Sequence, residues 1–430
     1  MRNETKKQIV LNLISQISHL KSQTMYKIQS AKLLKEIMGN YFLGMKNTEK
    51  KVAWCTSVGP AELLRSFDFE VHFPENHGAL LGATRTAGDF IPESSKLGYS
   101  NDICSYLTAD IGSFLKKQTP LQEHYGLEGP PKPNLLVYNT NQCREVQDWL
   151  TYYSKELNCP IAGITPPRHV NEVTDAHIKD VSDQFKAMIP VCEKVSGKKF
   201  DIDKFRETLK LSKEATDLWK KVLATAKSSP SPLSFFDATI HMGPIVVLRG
   251  TQIAKDYYTT LLKELEENVS NKIGFLTEER SRIYWDGMPI WGKLRPLSEL
   301  FVQNNSAVVA STYCNSWVFD AFDEKFPFES SAKAYTEIFI NRSEQAKQGI
   351  LTNLVKEFSI DGMIFHDAKT CANNSNSRFG MPQRISQSLG IPTLIIEGDL
   401  CDLRFYSEGQ SITKIETFIE QIESSKTVTR

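Results

Sequence analysis

Long apolar runs are missing from this chain. Nowhere do 18 apolar residues stand together, so no membrane-spanning helix is expected. Neither sign of charge is in excess, with 51 acidic and 51 basic residues. That balance leaves no long-range field for nucleic acid or anionic lipid, and no local basic stripe stands in for it. The opening "MRNETKKQIVLNLISQISHL" lacks the continuous apolar stretch and small-residue cleavage site of a secretory signal, and reads as an amphipathic helix. A soluble, cytoplasmic protein without nucleic-acid or membrane partners is expected.

Cysteine is sparse too. Cys55, Cys104, Cys143, Cys159, Cys192, Cys314, Cys371 and Cys401 are scattered over 430 residues, with no C-x-x-C pair among them. In a reducing compartment disulfides are not expected. Without a paired motif the zinc-ribbon and thioredoxin readings fall away, and any metal site must gather ligands from distant segments. A complete P-loop is absent, for "SGKKF" and "WGKLR" carry only a Gly-Lys pair. No G-x-G-x-x-G, H-E-x-x-H or G-x-S-x-G is found either, which removes the commonest dehydrogenase, metalloprotease and hydrolase signatures.

What is present is an alternation of buried strands and helices. At this length the chain should split into two or three domains. Residues 3–45 read as helical. "KKVAWCTSV", "NLLVYNTNQC" and "CPIAGI" then read as apolar strands separated by helices. Residues 170–270 are mostly helical, with "SSPSPLSFFDATIHMGP" as a turn-forming connection that can also line a pocket. From residue 281, "RIYWDGMPIW", "SAVVASTYC", "DGMIFHDAKTC" and "IPTLIIEGDL" supply further strands, and "SITKIETFIEQIE" closes the chain as a helix. The expected fold is α/β, with two parallel-sheet, Rossmann-like domains that lack the dinucleotide motif, flanked by a helical region. The expected boundaries are 1–48 for N-terminal helices, 49–169 for the first α/β domain, 170–280 for the helical region and 281–430 for the second α/β domain. The two halves share an order of strand, cysteine-bearing loop and helix.

Ligands of parallel α/β sheets bind beyond the carboxyl ends of the strands. Cys143 and Cys371 each lie a few residues past such a strand, and Cys104 opens a helix in the first half. The three could converge between the halves. Three thiolates with one open coordination position suit an iron–sulfur cluster, with zinc as the rival.

Six fragments, in order, carry a resemblance. "GYSNDICSYLTADIG", "VSGKKFDIDKFRE", "SPSPLSFFDATIHMGPIVVLRGT", "RIYWDGMPIWGKLR", "DGMIFHDAKTC" and "IEGDLCDLRFYS" are similar to the 2-hydroxyacyl-CoA dehydratase / class I benzoyl-CoA reductase superfamily, over about residues 45–425. Chain length and motif order resemble the larger iron–sulfur subunit of the reductases. The resemblance implies a [4Fe-4S] cluster on Cys104, Cys143 and Cys371 with an open or non-cysteine fourth site. It implies a paralogous iron–sulfur subunit as heterodimer partner, a separate ATP-hydrolysing activator and an acyl-CoA substrate. The thioester accepts one low-potential electron to give a ketyl-type radical. A benzoyl-CoA reductase-type activity is the first expectation, an (R)-2-hydroxyacyl-CoA dehydratase the second, and a double-cubane redox protein or a cluster-free relative the others.

Further residues are candidates on weaker grounds. Glu62 matches a glutamate placed near the family's active site and could act as acid or base, although its position also suits a helix N-terminus. Ser105 and Tyr106 are candidate donors to the substrate oxyanion or the cluster. Trp285 and Trp291 could line the acyl pocket, His241 and His366 could donate protons, and Arg249 and Lys293 could meet CoA phosphates. The remaining five cysteines read as buried thiols.

Overall fold

Strands rich in apolar residues on both faces pair in parallel, because both faces of such a sheet must be covered. β1 (Val52–Cys55), β2 (Glu70–His72), β3 (Leu135–Asn139) and β4 (Ile161–Ile164) form one sheet in the order β2-β1-β3-β4. β5 (Ser281–Asp286), β6 (Ser306–Ser311), β7 (Gly362–Ala368) and β8 (Thr393–Gly398) form a second in the order β6-β5-β7-β8. Every neighbouring pair is parallel. Every residue of β1, β5 and β6 is buried, which explains the apolar runs VAWC, IYW and AVVA within them. The expected α/β fold with two parallel sheets is what the chain adopts, and the two sheets share one strand order.

The computed structural model describes residues 27–46 and 48–428. Of the N-terminal helical stretch, Ala31–Lys46 is a helix, and the part before residue 27 lies outside the described residues. β2 is an element that sequence periodicity does not announce, being only three residues long.

Three long helices lie between the sheets in the chain, each started by a side-chain cap. Thr174 caps Asp175–Ser196, Asp201 caps Ile202–Ala224, and Thr251 caps Gln252–Ser270. Their apolar faces join one core with the sheets, in which Trp219, Tyr257 and Tyr258 are fully buried. The Pro- and Ser-rich connection before the third helix is not a plain turn. It holds two short helices, Phe235–His241 and Gly243–Val247, the first begun by the Ser234 hydroxyl accepting the Asp237 N–H at 3.1 Å. Proline flanking masks this helix in the sequence.

The helix Ser105–Lys116 matters most for the site. It packs against Ala87–Ser95 so closely that a Cβ on Gly112 would stand 2.0 Å from the Phe90 carbonyl oxygen. Asp110, on its buried side, accepts the Trp149 indole N–H at 3.0 Å and the Tyr153 hydroxyl at 2.5 Å, and pairs with His77. These contacts fix where the helix begins, at Cys104. Among the described residues, no helix is long and apolar enough to cross a membrane.

Candidate functional site

In both sheets the strand order reverses between the first and third strands, and ligands of open α/β sheets sit outside the carboxyl ends at such a point. Cys143 follows β3 and precedes the helix Glu145–Glu156, and Cys371 follows β7 and precedes the short turn Ala372–Asn374. Cys104 stands at the start of Ser105–Lys116. All three line one cavity of about 330 Å³. They are also the three partly exposed cysteines, while Cys55, Cys159, Cys192, Cys314 and Cys401 are buried.

Each of the three sulfurs faces backbone N–H groups at the start of a helix or turn. Tyr106 and Leu107 present theirs to Cys104, Val146 to Cys143 and Asn374 to Cys371. Such groups favour a thiolate over a thiol. Burial acts in the opposite direction and is stronger. It pushes Cys371 up to about 12, and it raises Cys104 and Cys143 strongly as well, each in addition lifted by a neighbouring thiol of the trio. The sulfurs are therefore arranged for thiolates yet protonated by default, a combination that a bound cation resolves.

The rest of the cavity is mainly apolar. Leu34, Met38 and Phe42 come from the helix Ala31–Lys46, with Val58, Ile338 and Ile340 from elsewhere. Glu75, Tyr106, Trp291 and Tyr313 add polar atoms. The Trp291 indole donates to the Tyr106 hydroxyl, so the hydroxyl's own proton remains to be donated. Trp291 also meets Tyr313 edge to face at 6.1 Å. Glu75 is partly exposed, but toward the cavity, and its carboxylate accepts the Ser57 N–H. Burial pushes Glu75 up to about 7, against the hydrogen bonding from Ser57. It is the carboxyl on this wall suited to trading protons near neutrality.

The sequence pattern of the family described as "2-hydroxyglutaryl-CoA dehydratase, D-component" matches residues 56–422. The chain belongs to this family. It is 31% identical over 403 residues to the (R)-2-hydroxyisocaproyl-CoA dehydratase alpha subunit of Clostridioides difficile, covering 93% of this chain and 96% of that one. It is 30% identical to the (R)-phenyllactyl-CoA dehydratase alpha subunit of Clostridium sporogenes, over 89% of this chain and 92% of the relative. A benzoyl-CoA reductase subunit of Thauera aromatica is 29% identical, over 91% and 93% of the two chains. These relatives span both branches of the dehydratase and benzoyl-CoA reductase superfamily, as the six fragments imply.

Within this family fold, the residues expected from the sequence separate into two groups. Tyr106 and Trp291 join the three cysteines on the cavity. Ser105 lies beside them, buried, its hydroxyl facing the Cys401 thiol. Glu62 does not line the cavity. Its carboxylate is buried against Arg249 at 3.2 Å, the Ser212 hydroxyl at 2.7 Å and the Tyr335 hydroxyl at 2.5 Å. Arg249 is fully buried as well and also donates to the Gly59 carbonyl at 2.7 Å, which keeps it from any CoA phosphate. Lys293 pairs with Glu408 at 3.0 Å on the last helix. Trp285 is core, stacked on Phe235 at 5.4 Å. His241 is buried against the Tyr257 hydroxyl and lowered to about 4 by desolvation, and His366 is buried with Nδ1 2.7 Å from the Met288 carbonyl. Glu75 is the residue that sequence reasoning misses. The signal was "FPENHG", a proline-started helix directly after β2, and it needs β2 to be seen first.

A cluster asks more of a site than nearby thiols. Among the described residues, no group of three or more His, Cys, Asp or Glu side chains is gathered tightly enough for a single metal ion. A [4Fe-4S] cluster binds its thiolates through different irons, so ligands that share a cavity without meeting at a point fit it better than mononuclear zinc. The N–H groups facing each sulfur fit the same group.

Proposed function

We propose that this chain is the cluster-bearing alpha-type subunit of a radical (R)-2-hydroxyacyl-CoA dehydratase acting on an apolar acyl group. The observation that supports it is one cavity holding Cys104, Cys143 and Cys371 together with a carboxyl, Glu75, that titrates near 7. The family consists of iron–sulfur proteins. Held by the three cysteines, a [4Fe-4S] cluster with a non-cysteine fourth site would supply a low-potential electron and a Lewis-acid iron for the thioester carbonyl.

The chain's own residues supply the rest. With both protonation states populated at neutral pH, Glu75 can give a proton to the departing 2-hydroxyl or take one from the neighbouring carbon. The balance is that of dehydration: the hydroxyl and one C–H proton leave as water, and a C=C bond forms with no net oxidation. Tyr106 offers its hydroxyl proton to the carbonyl oxygen as charge develops there. Leu34, Met38 and Phe42 exclude water and favour an apolar side chain on the substrate. The relatives are each named as one subunit of a larger enzyme, which supports a paralogous partner subunit. A separate ATP-hydrolysing activator belongs to the same reading.

A second reading is benzoyl-CoA reduction, favoured by the aromatic side chains of Phe42, Trp149, Trp291 and Tyr313 on the cavity, against which an aryl ring could pack. A double-cubane protein would need further thiols, and none of the five other cysteines lines the cavity. The test is anaerobic assay of the chain with partner and activator, ATP and a reductant. Enoyl-CoA from an apolar (R)-2-hydroxyacyl-CoA is expected. Reduction of benzoyl-CoA alone would replace the first reading with the second, and inactivity of an iron-loaded complex on both would overturn both.

A further inference from the structure

Asp399 is fully buried immediately after β8, and among the described residues no cation pairs with it. Its charge is met by neutral donors instead. Oδ2 accepts the Thr370 N–H at 2.9 Å and the Thr370 hydroxyl at 2.6 Å. Oδ1 accepts the N–H groups of Cys401 at 3.2 Å and Asp402 at 3.1 Å. While its O–H donates to Asp399, the Thr370 oxygen accepts the Ser105 N–H at 3.0 Å. The chain Asp399–Thr370–Ser105 therefore links the residue just before Cys371 to the residue just after Cys104.

We propose that Asp399, through Thr370, is a positioning residue for the Cys104 and Cys371 loops, and that its buried charge keeps the reduction potential of the cluster low. The proposal rests on the cluster reading above. Each carboxylate oxygen accepts two donors, so asparagine, whose amide NH2 accepts nothing, would set a donor against two of them. A buried carboxylate costs desolvation, which the four hydrogen bonds offset, and among the described residues its charge is left without a neutralising cation. Reducing a cluster adds negative charge, and a fixed anion in a low-dielectric site opposes that addition. A thioester accepts an electron only from a very strong reductant, so opposing reduction of the donor serves the reaction.

The test uses the full chain reconstituted anaerobically with iron and sulfide, read by iron per chain and by redox titration of the electron paramagnetic resonance signal. Asp399→Asn is expected to show a more positive midpoint potential in the molecules that hold iron. Thr370→Val should lose iron, and Thr370→Ser, which keeps the hydroxyl, should restore it. An Asp399→Asn protein with wild-type potential overturns the charge role, whatever its stability. Wild-type iron in Thr370→Val overturns the positioning role, and does so even if Asp399→Asn fails to fold. If wild-type protein takes up no cluster, the cluster reading itself fails and this inference with it, an outcome distinct from the other two.

Discussion

The Arg168 guanidinium stands 3.2 Å from the Asn373 side-chain oxygen, while its other N–H groups reach the carbonyls of Thr140 and Gln142, also at 3.2 Å. One side chain thus joins the loop of Cys143, on the first sheet, to the loop of Cys371, on the second. Each sheet can pack by itself, but the spacing between these two thiols depends on such a brace.

Replacing Arg168 with lysine should loosen that spacing, because a single ammonium cannot hold three acceptors in a plane. We expect lower iron per chain after reconstitution with little change in melting temperature, the alanine variant being worse. Full iron occupancy in the alanine variant would show that the brace is dispensable.

Serine at Cys104, Cys143 or Cys371 should bring iron to background in each case, whereas serine at Cys159 or Cys192 should leave it near wild type. Iron and sulfide analysis of the five proteins checks this. A cavity cysteine that can be lost without losing iron is not a ligand.

Glu75→Gln should abolish turnover while leaving iron unchanged, and it carries a stability signature. Burial raises the folded-state pKa from an ordinary 4.5 to about 7, so the protonated carboxyl is the form the fold prefers. That contribution is complete below about 4.5 and is lost as pH rises through about 7. The glutamine variant should therefore gain in melting temperature relative to wild type more at roughly pH 8 than at roughly pH 4, which lie on either side of that window. An equal difference at both pH values would mean that Glu75 is solvated.

Glu62→Gln and Arg249→Met each break a buried pair and leave one partner without its counter-charge. Either change should cost about 3–5 kcal/mol of stability. Because the pair does not line the cavity, turnover per folded molecule should persist in Glu62→Gln. A stable variant with abolished turnover would return Glu62 to the chemistry.

The fold was readable wherever burial on both faces forced a continuous apolar run, as in Ile283–Trp285 or Met363–Phe365. It was unreadable at "EVH", where three residues are too few to set a period. One such omission propagates: with β2 unseen, Glu75 could not be placed at the end of a strand. For the site, Cys143 and Cys371 announced themselves by following strands, whereas nothing local to Cys104 said that its helix would be turned toward them. That depends on Asp110 meeting Trp149 and Tyr153, about forty residues away. Arg168 sits in "TPPRHV", a stretch without periodicity, and only the packed structure gives it a role.

The shared strand order of the two sheets makes Cys143 and Cys371 equivalent positions, each just past the third strand of its four. An arrangement that merely doubled a half-chain would offer ligands in pairs. Cys104 has no counterpart in the second half, where the corresponding stretch between β6 and β7 supplies no cavity thiol. The odd thiol breaks the pseudo-symmetry of the two halves. Two matching halves supply the paired thiols, and the unmatched third leaves the rest of the cavity wall to side chains other than cysteine.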